Sequence, residues 1–108
     1  MSLDVWLECE HCGAEIYSDS VTHNLSVMAK KAGIYMHLWK PEKIDVIYAH
    51  QLIKPLKYAI RQLRESPAYF EQFNPSNGWG NYEIFLEFVI DYWKACVRNP
   101  KLKIYVWI

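Results

Sequence analysis

A chain of 108 residues with 52% hydrophobic content has the length of one domain, expected over residues 1–108, and enough apolar side chains to build a core. Twelve basic and twelve acidic residues cancel to a formal charge of zero, which argues against nucleic acid as a partner, because phosphate recognition needs clustered positive charge. No apolar run approaches the ~20 residues of a membrane span, and Met1 to Leu7 carries Asp4 where a signal peptide would be basic and then apolar. A cytoplasmic chain with reduced thiols and no membrane partner is expected, since any internal disulfide leaves one of the three cysteines unpaired and the cytosol keeps all three reduced.

Leu3, Val5, Leu7 and Cys9 alternate with Asp4, Trp6 and Glu8, the period of a strand with one buried face. Cys9-Glu10-His11-Cys12-Gly13 follows, and Ala14 to Ser18 reads as the return arm of a hairpin. Two thiols three positions apart, with a glycine free to turn the backbone, have the spacing of a metal knuckle. No second pair completes it. A zinc site built on Cys9, Cys12 and His23 is therefore the alternative to a chain that needs no cofactor. A thioredoxin-like role fits less well, because that chemistry places its first cysteine at a helix N-terminus.

Thr22 opens the first predicted helix, Thr22 to Ala32, with Leu25, Met28, Ala29 and Ala32 on one face and Gly33 behind them. Ile34 to Trp39 predicts one buried turn, closed before Pro41. After a connector at Glu42 to Tyr48, Leu52, Ile53, Leu56, Ala59, Ile60 and Leu63 form a helical stripe. Pro55 leaves two readings of its start: near Lys54, or near Ala49 with a kink. Ser66-Pro67 opens a short helix through Gln72.

Asn74 to Gly80 is the one long irregular stretch, rich in amides and glycine around Trp79. Asn81 caps the longest helix, with Tyr82, Phe85, Leu86, Val89, Tyr92, Trp93 and Cys96 as its stripe, and Asn99-Pro100 ends it. Leu102, Ile104, Val106 and Ile108 alternate as a closing strand. The expected architecture is α+β: a small antiparallel sheet, made of the N-terminal hairpin and the C-terminal strand, packed on about three main helices. If the terminal strands are neighbours, Trp6 pairs with Tyr105 or Trp107.

Candidate chemistry is sparse. No serine lies in a nucleophile elbow, and there is neither a glycine-rich phosphate loop nor a pair of carboxylates in an apolar setting, so no catalytic set is assembled. What remains is a recognition composition. Thr22, His23 and Asn24 at a helix start, and Asn74, Asn77, Trp79 and Tyr82 around the loop, combine amides with rings that a core does not require. They form the expected binding surface of a non-enzymatic interaction or accessory protein, its partner another protein or a second copy.

Thr22-His23-Asn24-Leu25 through Met28-Ala29, Ala32-Gly33-Ile34-Tyr35, Leu38-Trp39, Pro41-Glu42, Phe73-Asn74-Pro75, Asn77-Gly78-Trp79-Gly80 and Tyr82-Glu83 resemble a family of small proteins encoded by bacteriophages and bacteria. The resemblance covers most of residues 20–100. It implies a bacterial or phage cytoplasmic origin and carries no established activity. Members have other hairpin loops where this chain has Cys9 to Gly13, so the resemblance points to the His23 and Trp79 segments as the shared surface.

Overall fold

Strand β1 (Ser2–Glu8) buries Leu3, Val5 and Leu7 completely and keeps Asp4, Trp6 and Glu8 half-buried on its other face, as the alternation requires. The computed structural model describes residues 1–108. β1 is the central strand, with β2 (Glu15–Thr22) antiparallel on one side and β3 (Lys103–Trp107) antiparallel on the other. β2 runs four residues beyond the predicted arm ending at Ser18, so that Ser2 pairs with Thr22. Ser18, Asp19 and Ser20 have little intrinsic strand preference, and pairing along β1 overrides it. The register slips between Leu7 and Glu8, which breaks the alternation that was to bury Cys9.

The edge strand β2 turns a carboxylate inward. Asp19 faces the same side as Val21 and Tyr17, accepts the Ser20 N–H at 2.8 Å and takes a 3.3 Å hydrogen bond from the Tyr17 hydroxyl. An inward charge and an occupied backbone donor both discourage another chain from adding to this edge.

The helices pack on the Leu3-Val5-Leu7 face. His23–Leu25 is a 3-10 turn that leads into α1 (Ser26–Lys31), which is shorter than the Thr22–Ala32 helix predicted, although Leu25, Met28, Ala29 and Ala32 are all buried as expected. α2 (Tyr35–Trp39) is the short turn before Pro41, burying Leu38 and Trp39 but leaving Met36 exposed. A 3-10 turn at Ala49–Leu52 precedes α3 (Ile53–Glu65), so Pro55 falls within the first helical turn, where its missing N–H costs nothing. α4 (Pro67–Glu71) follows, and α5 (Tyr82–Arg98) begins where Asn81 Oδ1 accepts the Ile84 N–H at 2.9 Å.

Leu56, Ala59, Ile60 and Leu63 of α3 and Phe85, Phe88, Val89, Tyr92, Ala95 and Cys96 of α5 join the inner sheet face in one cluster of 26 buried residues. The fold is α+β, with helices on one side of a three-stranded sheet. The other side stays open, and there Trp6 stacks on its cross-strand partner Tyr105 with ring centres 5.6 Å apart and planes 10° from parallel. No helix is long and apolar enough to cross a membrane.

Candidate functional site: the Trp79 cleft

Gly80 decides how the irregular loop meets the hairpin. Its φ is +94°, and a Cβ placed there would lie 2.8 Å from Thr22 Cγ2 and 3.1 Å from Leu25 Cδ1. The loop backbone thus rests directly on the end of β2 and the turn after it, an approach only glycine permits. This contact brings together segments more than fifty positions apart in sequence, the helix start and the loop paired in the sequence reading.

The loop ties itself down through its own amides. Asn77 Oδ1 accepts the Trp79 N–H at 2.9 Å, and Asn74 Oδ1 accepts the Tyr82 N–H at 2.8 Å. With the backbone so held, Trp79 projects outward and remains 70% exposed. Beside it opens a cleft of about 590 Å³ whose walls include Ser20, Thr22, Asn24, Asn77, Trp79 and Ile84. No charged side chain lines it: the polar groups are hydroxyls and amides, and the apolar ones come from Trp79, Ile84, Val21 and Met1.

Four of the seven expected surface residues therefore meet at one cleft: Thr22, Asn24, Asn77 and Trp79. The other three have structural occupations. His23 turns towards α2, where its Nδ1 accepts the Trp39 indole N–H at 2.9 Å. Asn74 serves the start of α5. Tyr82 is a correction to the expected surface, because its ring is buried and its hydroxyl donates to the Leu63 carbonyl at 2.6 Å, closing the C-terminal end of α3 against α5.

The expected Cys9-Cys12-His23 metal site is also corrected. His23 N–H faces the Met1 carbonyl at 3.5 Å, at the far end of the seven-residue β1 from the cysteines. About 20 Å of strand lies between them. Because β2 continues to Thr22, the residue after it returns to the start of β1 and not to the hairpin tip. No group of three or more His, Cys, Asp or Glu side chains comes together in a way that could hold a metal ion.

The two thiols do sit together at that tip, with Cys9 half-buried and Cys12 exposed. The turn is closed by Cys9 N–H to Ala14 O at 2.9 Å and Gly13 N–H to Cys9 O at 2.8 Å, with Gly13 at φ +72°. Interactions with the backbone N–H and thiol of Cys12 and with the N–H of His11 hold the Cys9 pKa below the usual thiol value, against opposing pushes from burial and from Glu10. Glu10 itself accepts from the Tyr48 hydroxyl at 3.0 Å, a bond that raises the Tyr48 pKa. Cys96 is fully buried on α5, and burial pushes its thiol up to about 12.

Two further apolar surfaces lie away from the Trp79 cleft. Trp107, also 70% exposed, extends the Trp6-Tyr105 pair on the open sheet face. A second cleft of about 370 Å³ lies between the 41–47 turn and β3, lined by Pro41, Val46, Ile47, Val106 and Ile108. The strand alternation gave Trp107 its outward side, but the cleft depends on where the connector packs and has no local signal. No family model matches this chain, and neither does a curated protein or a solved structure.

Proposed function

We propose that this protein is a non-enzymatic interaction module that receives a segment of a partner protein in the cleft beside Trp79. The observation that carries the reading is a large ring held 70% in solvent by a loop whose backbone is fastened at Asn77, Asn74 and Gly80. Exposing so much apolar surface on a fixed support gives no stability to the free chain. It supplies a preorganised anchor, the kind of residue that dominates binding energies. The lining selects the partner's chemistry: hydroxyls and amides suit backbone groups, the apolar wall suits a large aliphatic or aromatic side chain, and no charged side chain is present to pair with a partner's charge. The cytoplasmic setting and the phage or bacterial origin implied by the resemblance belong to the same proposal.

The test is affinity capture from the host cell with wild-type protein and two equally exposed tryptophan variants, Trp79→Ala and Trp107→Ala, followed by titration of the purified partner. The proposal expects Trp79→Ala and Asn24→Ala to weaken that partner at least tenfold and Trp107→Ala to leave it unchanged. Loss through Trp107→Ala with Trp79→Ala unaffected would move the interface to the open sheet face and overturn the proposal.

A further inference from the structure

We propose that the hairpin tip is half of a zinc site, completed by the same tip of a second copy, so that one Zn²⁺ joins two chains through Cys9 and Cys12 of each. The turn is already built for a ligand pair: its two closing hydrogen bonds and the left-handed Gly13 fix Cys9 and Cys12, three positions apart, on one tight tip. Structural zinc takes four ligands in a tetrahedron. This chain offers two and no third, since His23 lies at the other end of the hairpin, Glu10 is engaged by Tyr48, and no three-ligand group forms.

A two-fold axis resolves the shortage. Opposite edges of a tetrahedron are related by such an axis, so two identical cysteine pairs facing each other complete the geometry with no change within either chain. The tip is open to approach at Cys12, where every residue from Glu10 to Ile16 is exposed, with Cys9 half-buried beside it. Charge makes the contact depend on the metal. Glu8 and Glu15 face each other across the hairpin with Glu10 beside them, so two tips repel until a cation lies between them, with Lys103 next to Glu8 offsetting only part of this. Binding replaces the thiol protons by the metal and releases them to solvent, with no change of oxidation state.

The experiment uses reduced, metal-stripped full-length protein, titrated with Zn²⁺ and separately with Co²⁺, and followed by sedimentation velocity and absorption. The expected result is a monomer that becomes a dimer at one metal per two chains, reverts with chelator, and shows thiolate-to-cobalt charge transfer with tetrahedral ligand-field bands. Cys12→Ser, checked for folding by circular dichroism, stays monomeric and lacks the charge-transfer band, whereas His23→Ala dimerises as wild type does. A monomer that holds one Zn²⁺ per chain, a monomer that ignores Zn²⁺ but holds one Cu⁺ between its two thiols, or unchanged dimerisation of Cys12→Ser would each overturn the proposal. None of these outcomes bears on the Trp79 cleft, at the other end of the hairpin.

Discussion

Replacing Gly80 by alanine isolates the contact that joins the loop to the hairpin. Two costs add. The φ of +94° forces an L-residue into left-handed backbone, worth roughly 1–2 kcal/mol. The new Cβ also sits 2.8 Å from Thr22 Cγ2 and 3.1 Å from the fully buried Leu25, and such overpacking costs roughly 1–3 kcal/mol. The expected destabilisation is about 2–5 kcal/mol, or a fall in Tm on the order of 10–20 °C for a chain of this size. Gly78→Ala is the control, because its φ of +78° carries the backbone cost while nothing lies within 4 Å of the added methyl. Urea unfolding of the two variants therefore separates backbone strain from contact, with Gly80→Ala lower by about 1–3 kcal/mol. Thr22→Ser supplies a second check. It removes the nearest methyl yet keeps the hydroxyl that accepts the Asn24 N–H, so it should return about 0.5–1 kcal/mol in the Gly80→Ala background and little in wild type. Equal stability of Gly78→Ala and Gly80→Ala, or strict additivity with Thr22→Ser, would refute the claim that loop and hairpin form one surface.

Cys9 and Cys12 should react with a bulky thiol reagent long before the buried Cys96, and equal rates at all three would show that α5 faces another way. Because the Cys9 pKa is lowered, its thiolate persists to lower pH than that of a free cysteine peptide, so its labelling rate should begin to fall only at a correspondingly lower pH; a profile matching the peptide's would contradict the contribution of the Cys12 and His11 N–H groups. Replacing both Cys9 and Cys12 by serine should change metal-free stability by less than about 1 kcal/mol, since neither thiol belongs to the core, and a larger loss by urea unfolding would give the tip a structural role. Tyr82→Phe should cost about 1–2 kcal/mol by leaving the Leu63 carbonyl without its partner, whereas Tyr92→Phe should cost little, because the buried Tyr92 hydroxyl makes no hydrogen bond within the protein. Reversal of that order in thermal unfolding would show that the two hydroxyls have been assigned the wrong roles.

What the sequence made legible follows from where the information lies. α3 and α5 were readable because burial of one face repeats every three to four residues over several turns, and Leu56, Ala59, Ile60, Leu63, Phe85, Val89 and Tyr92 are all buried as that period demands. The pairing of Trp6 was readable only down to Tyr105 or Trp107, because alternation fixes the face of each ring and not the register, and the structure selects Tyr105. β2 was cut short because Ser18, Asp19 and Ser20 look like a loop locally, and only pairing with β1 makes them a strand. That one error also placed His23 beside the cysteines, since four further paired residues carry the chain back along β1. Tyr82 appeared to belong with the loop because it follows the loop, but it is the first residue of α5 and its ring turns inward. Trp79 lies exposed and Gly80 rests against Leu25 for tertiary reasons, and neither leaves a mark on sequence periodicity.

The most direct test of the Trp79 cleft is the set of indole N–H resonances in ¹⁵N-labelled protein as the captured partner is added. The five tryptophans report separate places: Trp79 the cleft, Trp39 the His23 bond, Trp6 and Trp107 the open sheet face, and Trp93 the half-buried side of α5. The account predicts that the Trp79 indole and the amides of residues 20–24 and 77–80 shift together and saturate at one partner per chain. Shifts confined to Trp6, Trp107 and the Cys9–Gly13 tip, with Trp79 unmoved at saturation, would contradict it.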